Sequence, residues 1–432
     1  MSERSHLLMV AYYFPPLGMG GVQRPLKLAK YLPEFGWDVT VITLAQHSYH
    51  ALDQSLADEL PETVIVKHVG VRGPLHWAHA RSRRRSDKDR QHRTAPAWAR
   101  RLQQLARWPD DKFGFVRPAV RAASRLLTER PYDLIWTTSP PPSVHRVGLT
   151  IQRTHKLPWV ADFRDPWLVN AGDWGPTRLH ARYAKQLRAR IVEAADAVIV
   201  ANGAIASGLG SLHPRRPVEV IHNGYDESDF ISTAEKLPVR DEFRILFYGT
   251  LAPVVDPAPA LQLLSQWRAR RPDRKLRIVH AGLSIGIDAG ALAREHHLDD
   301  IYESLGYLRH SDAIAELTIA DVVVIPLSTE SGYEATVPGR IFEALRSLRP
   351  ILLVASPDCE TARILARVAG TWTVPPDDSA SGLAALDAIA ALPRRQPARN
   401  LQLIAQYERR EQARRTSVLM DSLKRQRRES SK

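Results

Sequence analysis

Cysteine is nearly absent. Only Cys359 occurs among 432 residues, which excludes an internal disulfide and leaves no cysteine-based metal site. Such usage fits a reducing cytoplasm. Long hydrophobic runs are missing too: nothing approaches the roughly 18 apolar residues that span a bilayer. The run Leu7–Tyr13 lacks the length and the small-residue cleavage site of a secretion signal. The expected location is the cytoplasm, with peripheral attachment at the inner face of the cell membrane. No H-E-x-x-H pair, G-x-S-x-G elbow or P-loop is read from the sequence, so metal hydrolysis, serine hydrolysis and Walker-type phosphoryl transfer are not expected. Acidic residues are in deficit, 47 against 60 Lys and Arg, and the formal net charge is +13. That excess attracts polyanions: nucleic acid, anionic lipid or phosphorylated substrates.

What is present reads as an α/β protein. Hydrophobic content of 44% and charged content of 25% are ordinary for globular chains, and the length predicts two domains of roughly 100–200 residues or slightly more. Apolar, often β-branched runs (Leu7–Tyr12, Val39–Thr43, Val64–Val69, Leu134–Thr138, Trp159–Ala161, Ala197–Ala201, Val218–Ile221) read as strands buried on both faces. Amphipathic segments such as Gln23–Phe35, Val116–Glu129 and Arg178–Ala195 lie between them. After a polar stretch the pattern restarts at Arg244–Tyr248 and continues through Leu276–Ala281, Ile301–Ser304, Val322–Pro326, Ile351–Val354 and Thr371–Val374. Alternating strands and helices predict two Rossmann-like doubly wound sheets facing across a cleft. The expected division is 1–235, with a basic excursion at 72–107, then 236–400, then a basic helical tail at 401–432.

Candidate chemistry clusters after the predicted strands. Val337-Pro338-Gly339-Arg340-Ile341-Phe342-Glu343-Ala344-Leu345 reads as a helix start near Pro338 with a cation in its first turn. Arg340 there is disfavoured by ~0.3–1 kcal/mol unless an anion binds, and a phosphate answers that need. Glu343, one turn on, suits two vicinal hydroxyls. The same two residues also fit a plain surface pair at i, i+3. Gly18, Gly20 and Gly21 form a strand-to-helix turn whose backbone N–H groups can approach an anion, or a turn without a ligand. Asp162-Phe163-Arg164-Asp165-Pro166-Trp167 sets two carboxylates and a guanidinium past a strand end, and Pro166 keeps Asp165 extended. Gly249 and Thr250 end the first strand of the second domain, and Arg309 precedes a predicted helix.

Taken in order, these segments resemble the retaining glycosyltransferases of family 4, which have the two-Rossmann GT-B architecture. The likeness runs from Tyr12-Tyr13-Phe14-Pro15-Pro16 and its glycine loop through Trp108–Asp111 and Tyr132–Pro142. It continues over the Asp-x-Arg-Asp-x-Trp segment Asp162–Trp167 and Asn223–Asp226 to Pro338–Leu345. It implies that the second domain holds a nucleotide-diphosphate sugar, a UDP-sugar at first guess, with Glu343 on the ribose and Arg340 on the diphosphate. Gly18, Gly20 and Gly21 would close over the phosphates, Gly249 and Thr250 would approach the donor, and Arg164 and Asp165 would face the reacting sugar. The acceptor would be a saccharide or lipid-linked, with neither metal nor cofactor needed. Three departures from the family pattern stand out. The position eight before Glu343 is Ala335, with Glu334 offset by one; no basic pair follows the first strand of the second domain, leaving Arg340 with help from Arg309; and the Asp162–Trp167 segment lacks a histidine. A nucleotide-sugar epimerase is the competing enzyme. Nucleic-acid binding is not expected, because Arg81–Arg93 carries no interleaved aromatics. An anionic membrane surface is the expected partner of the basic segments.

Overall fold

The computed structural model describes residues 4–18, 20–45, 52–71, 110, 112–167, 177–210, 216–231, 241–393 and 401–430. They form two compact units. The first comprises Met1–His222 with Gln412–Lys432, the second Asn223–Glu411. The basic excursion Arg72–Arg107 lies outside the described residues.

In the first unit seven parallel strands run in the order β3-β2-β1-β4-β5-β6-β7. They are β1 (Ser5–Ala11), β2 (Trp37–Leu44), β3 (Ile65–Val69), β4 (Leu134–Ser139), β5 (Trp159–Phe163), β6 (Ala197–Val200) and β7 (Val218–Val220). The strands β4, β5 and β6 are buried along their length, as a sheet covered on both faces requires, and their few polar residues are buried with the apolar ones. The edge strands depart from the expected two-faced burial: β3 and β7 are partly exposed, because an edge has a neighbour on one side only.

Helices cover both faces. On one, Ala119, Ala123 and Leu126 of Val116–Glu129 pack with Val147 and Ile151 of His145–His155 and with Leu187 and Ile191 of Arg178–Ala194. On the other, Leu28, Ala29 and Tyr31 of Gln23–Tyr31 meet Ala413, Met420 and Leu423 of the final helix, Arg409–Ser430. Side chains recurring three, four and seven positions apart make these inward stripes.

That final helix, expected as a separate basic tail, packs into the first unit. From Gln412 onward it belongs to the first unit, where Trp37 Nε1 donates to Asp421 Oδ1 at 3.1 Å and Lys424 Nζ pairs with Asp133 at 2.9 Å. Its charged residues mask an apolar stripe that a count of Lys and Arg does not reveal. The division also falls earlier than residue 235. Tyr225 N donates to Tyr407 O, Arg409 N donates to Tyr225 O, and Phe230 joins the second unit's core. Residues 223–231 are thus tied to the second unit by hydrogen bonds that no local pattern announces.

The second unit repeats the plan with β8 (Phe243–Tyr248), β9 (Leu276–Ala281), β10 (Tyr302–Gly306), β11 (Val322–Pro326), β12 (Ile351–Val354) and β13 (Thr371–Val374), all parallel. Their order is β10-β9-β8-β11-β12-β13. In each unit the chain moves outward from a central strand, β1 or β8, and then resumes on that strand's other side at β4 or β11. Such reversal points are where open α/β sheets place their ligands.

Candidate functional site

At the reversal point of the second unit, β8 ends in a turn held from several sides. Gly249 has φ +87°, a left-handed conformation suited to glycine. Arg340, first residue of the helix Arg340–Arg346, reaches back to this turn, and its Nη1 donates to Tyr248 O and to Thr250 O, each at 2.7 Å. A Cβ on Gly249 would sit 2.9 Å from that Nη1, so the glycine admits the guanidinium. His280, fully buried at the end of β9, donates from Nε2 to Gly249 O at 3.1 Å, which sets its tautomer and leaves Nδ1 without a partner. Burial pushes the His280 pKa down, keeping the imidazole neutral. Tyr248 is buried, and its hydroxyl donates to Glu343 Oε2 at 2.7 Å.

A cation in a helix's first turn calls for an anion; here two carbonyl oxygens already meet part of that need. They are neutral, however, and among the described residues no carboxylate forms an ion pair with Arg340. Its Nε is buried without a hydrogen-bond partner. Desolvation lowers its pKa to about 10, opposed by Tyr248 and Glu343 nearby, so the guanidinium stays charged at neutral pH. The site therefore offers a cation in no ion pair among the described residues, beside a partly exposed carboxylate whose Oε2 is already fixed. An anionic ligand bearing vicinal hydroxyls matches that combination.

Two expected members are engaged elsewhere. Arg309 forms a two-pronged exposed pair with Asp312 three residues on, at 2.8 and 3.3 Å, so its charge is compensated locally. Glu334 is exposed and folds back on its own loop, accepting from Gly332 N at 2.8 Å. Both loops spend the side chain on local order, which motif spacing does not report.

The first unit's counterpart gathers at the ends of β4 and β5. Arg164 is buried, and its guanidinium donates to Ser139 O at 2.7 Å, to Pro140 O at 3.3 Å and to Gly21 O. These bonds tie the glycine loop to the end of β4. Gly18 is buried and Gly20 opens the short helical turn Gly20–Val22. Asp165 is exposed immediately past β5. Beneath them lies an ion pair that the motif reading passed over. Asp162, with no exposed surface, accepts from Arg24 Nε at 3.0 Å, Arg24 Nη2 at 2.8 Å and Thr138 Oγ1 at 2.7 Å. Arg24 Nη1 also donates to Ile221 O and His222 O, each at 2.8 Å. A carboxylate inside the otherwise apolar run Trp159–Phe163 was the available signal. His145 escaped notice as well. It is fully buried, its ring lies 4.6 Å from that of Phe163, and burial lowers its pKa to about 3.

One further correction concerns serine chemistry. Gly282-Leu283-Ser284-Ile285-Gly286 does spell G-x-S-x-G after β9. The segment runs alongside Leu251, which donates to Leu283 O and accepts from Ile285 N, and the next helix begins only at Ala289. It is not the sharp strand-to-helix elbow that exposes a nucleophile.

Comparison with known proteins agrees with this layout. Residues 19–224 match the family model described as Glycosyl transferase 4-like domain. No curated protein matches the chain. Among solved structures, sucrose-phosphate synthase from Thermosynechococcus elongatus is similar, with 17% identity, 99% of this chain and 100% of that chain covered, and a TM-score of 0.64. An alpha,alpha-trehalose-phosphate synthase (UDP-forming) from Burkholderia vietnamiensis has 15% identity, 97% and 99% coverage, and a TM-score of 0.64. A putative UDP-N-acetylglucosamine 2-epimerase from Listeria monocytogenes has 12% identity, 96% and 95% coverage, and a TM-score of 0.53. At these identities the likeness establishes the fold: two parallel-sheet α/β domains of the GT-B type.

Proposed function

We propose that this chain transfers a sugar from a nucleotide-diphosphate donor, with a UDP-sugar the first candidate, to a saccharide or lipid-linked acceptor. The family match over residues 19–224 supports the reaction class. The observation that carries the reading is Arg340, a cation held by carbonyls at the reversal point beside Glu343. Arg340 faces the diphosphate as the bond from the anomeric carbon to the phosphate oxygen breaks, and Glu343 takes the ribose hydroxyls. The acceptor oxygen attacks from the face the diphosphate leaves, so configuration is retained, and the acceptor proton passes to a diphosphate oxygen. Stabilisation of the leaving group by positive side chains is the main catalytic effect, and no metal is assigned a step. Arg164 shapes the glycine loop, and Asp165 is the first-unit carboxylate left to orient an acceptor hydroxyl.

Thermal shift against UDP, GDP, ADP and their sugars tests the donor assignment. At 100 times Kd a ligand contributes ~2.7 kcal/mol, which corresponds to a rise of roughly 5 °C or more. A flat response to all of them would overturn the reading. The epimerase alternative has a specific likeness behind it; it requires a UDP-sugar to change configuration with no acceptor present, followed by proton NMR.

The proposed cytoplasmic location brings an anionic membrane as partner, and three neighbouring helices of the first unit support it. Arg117, Arg121 and Arg125 are exposed along Val116–Glu129; Arg153 and Lys156 close the next helix; Arg178, Arg182 and Lys185 are exposed on the third, beside an exposed Leu179. The carboxylates on these helices are Glu129 and Glu193 alone. At about 1 kcal/mol per basic residue near an anionic surface, the variant Arg117→Glu/Arg121→Glu/Arg182→Glu should lose roughly 100-fold or more in partition onto phosphatidylglycerol vesicles. Binding should fall steeply with salt. Equal binding to neutral vesicles would contradict the assignment.

A further inference from the structure

The turn at the end of β8 is built around Tyr248 as much as around Arg340. Its ring sits in the second unit's core with Ile341 and Phe342, so the position of its hydroxyl is fixed by packing and by the register of β8 against β9 and β11. That hydroxyl donates to Glu343 Oε2 at 2.7 Å, while the backbone carbonyl of the same residue accepts from Arg340 Nη1 at 2.7 Å. One residue therefore holds both members of the candidate site through different atoms. We infer that Tyr248 is a positioning residue for ribose selection, clamping one oxygen of Glu343 so that the other meets the vicinal hydroxyls of a nucleoside diphosphate.

The chemistry is specific. Burial raises the Tyr248 pKa well above that of free tyrosine, so the hydroxyl remains a donor at neutral pH. A glutamate has three rotatable bonds, and an unclamped one gives up that freedom when a ligand binds; a clamped one has already done so. With Oε2 occupied, Oε1 keeps its acceptor capacity for ligand hydroxyls. Clamping should sharpen the distinction between a ribose, which offers two hydroxyls, and a 2′-deoxyribose, which offers one. The diphosphate end is decoupled from this effect, because Arg340 is held by backbone carbonyls that survive any change of side chain at Tyr248.

The inference rests on the nucleotide-sugar reading above, and Tyr248→Phe separates the two. The substitution keeps the ring and removes only the hydroxyl. Calorimetric titration of the full chain would use UDP, 2′-deoxy-UDP, GDP, 2′-deoxy-GDP and inorganic pyrophosphate, for the parent protein, Tyr248→Phe and Glu343→Gln. The parent is expected to favour the ribonucleotide at least tenfold for the nucleotide it accepts. Tyr248→Phe should lower that preference three- to fivefold with the pyrophosphate affinity unchanged, and Glu343→Gln should abolish it. Because the readout is a ratio of two ligands on one protein, a general loosening of the fold does not produce it. An unchanged ratio in Tyr248→Phe overturns the positioning role while leaving the nucleotide reading intact. Failure of the parent to bind any of the nucleoside diphosphates overturns both.

Discussion

Arg340→Ala is expected to reduce sugar transfer by 10²–10³-fold, the loss typical when one preorganised donor is removed from a developing oxyanion. The structure attaches a second consequence. The same guanidinium donates to Tyr248 O and Thr250 O, so truncation also leaves two carbonyls short of a donor, at ~1–3 kcal/mol in stability if they stay dry. A melting curve and an initial-rate assay on one preparation separate the two effects. Arg340→Lys serves as the control: a lysine keeps the charge but cannot bridge two carbonyls and present a second N–H edge at once. Lysine should therefore recover part of the rate and little of the stability. Undiminished transfer by the folded alanine variant would remove Arg340 from the proposed chemistry.

Asp162→Ala should be the most destabilising single change in the first unit. The carboxylate is fully buried and neutralises Arg24 through two hydrogen bonds. Removing one partner of such a pair strands the other charge, at ~3–5 kcal/mol, whereas replacing both with apolar side chains of similar volume is often near neutral. Urea unfolding of Asp162→Ala and of Arg24→Met/Asp162→Leu tests this difference. The single variant should unfold at much lower urea than the double. Equal losses would mean that the hydrogen bonds of Arg24 to Ile221 O and His222 O, and not the ion pair, carry the stability.

The sheets were legible because their central strands obey one local rule. A strand buried on both faces is apolar along most of its length, and Leu276–Ala281, Val322–Pro326 and Ile351–Val354 coincide with β9, β11 and β12. The candidate residues were legible by type and position: Arg340, Glu343, Gly249 and Thr250 do lie at one strand end. Their hydrogen bonds were not. Whether Arg164 or Arg340 points its guanidinium at a ligand or at carbonyls depends on backbone brought near from residues 21, 139 or 248, which no spacing encodes. Tyr248 and His280 went unnoticed because an aromatic or a histidine at the end of an apolar run reads as core. The unit boundary was displaced for a related reason, since Tyr225 is claimed by Tyr407 and Arg409 across a long stretch of chain.

The path of the chain through the first unit sets an order of assembly. Its fold opens with β1 yet is completed by residues 412–430, the stripe of Ala413, Met420 and Leu423 closing over β1 and β2. During vectorial synthesis at ~5–20 residues per second, those two strands wait some tens of seconds with one flank bare, until the roughly 370 residues between Leu44 and Gln412, the second unit's Asn223–Glu411 among them, have emerged. The intervening segment is contiguous and can fold while the ribosome works. A chaperone that shelters apolar surface thus has its natural client in the amino-terminal half of the nascent polypeptide, and a frameshift anywhere downstream leaves that half uncapped.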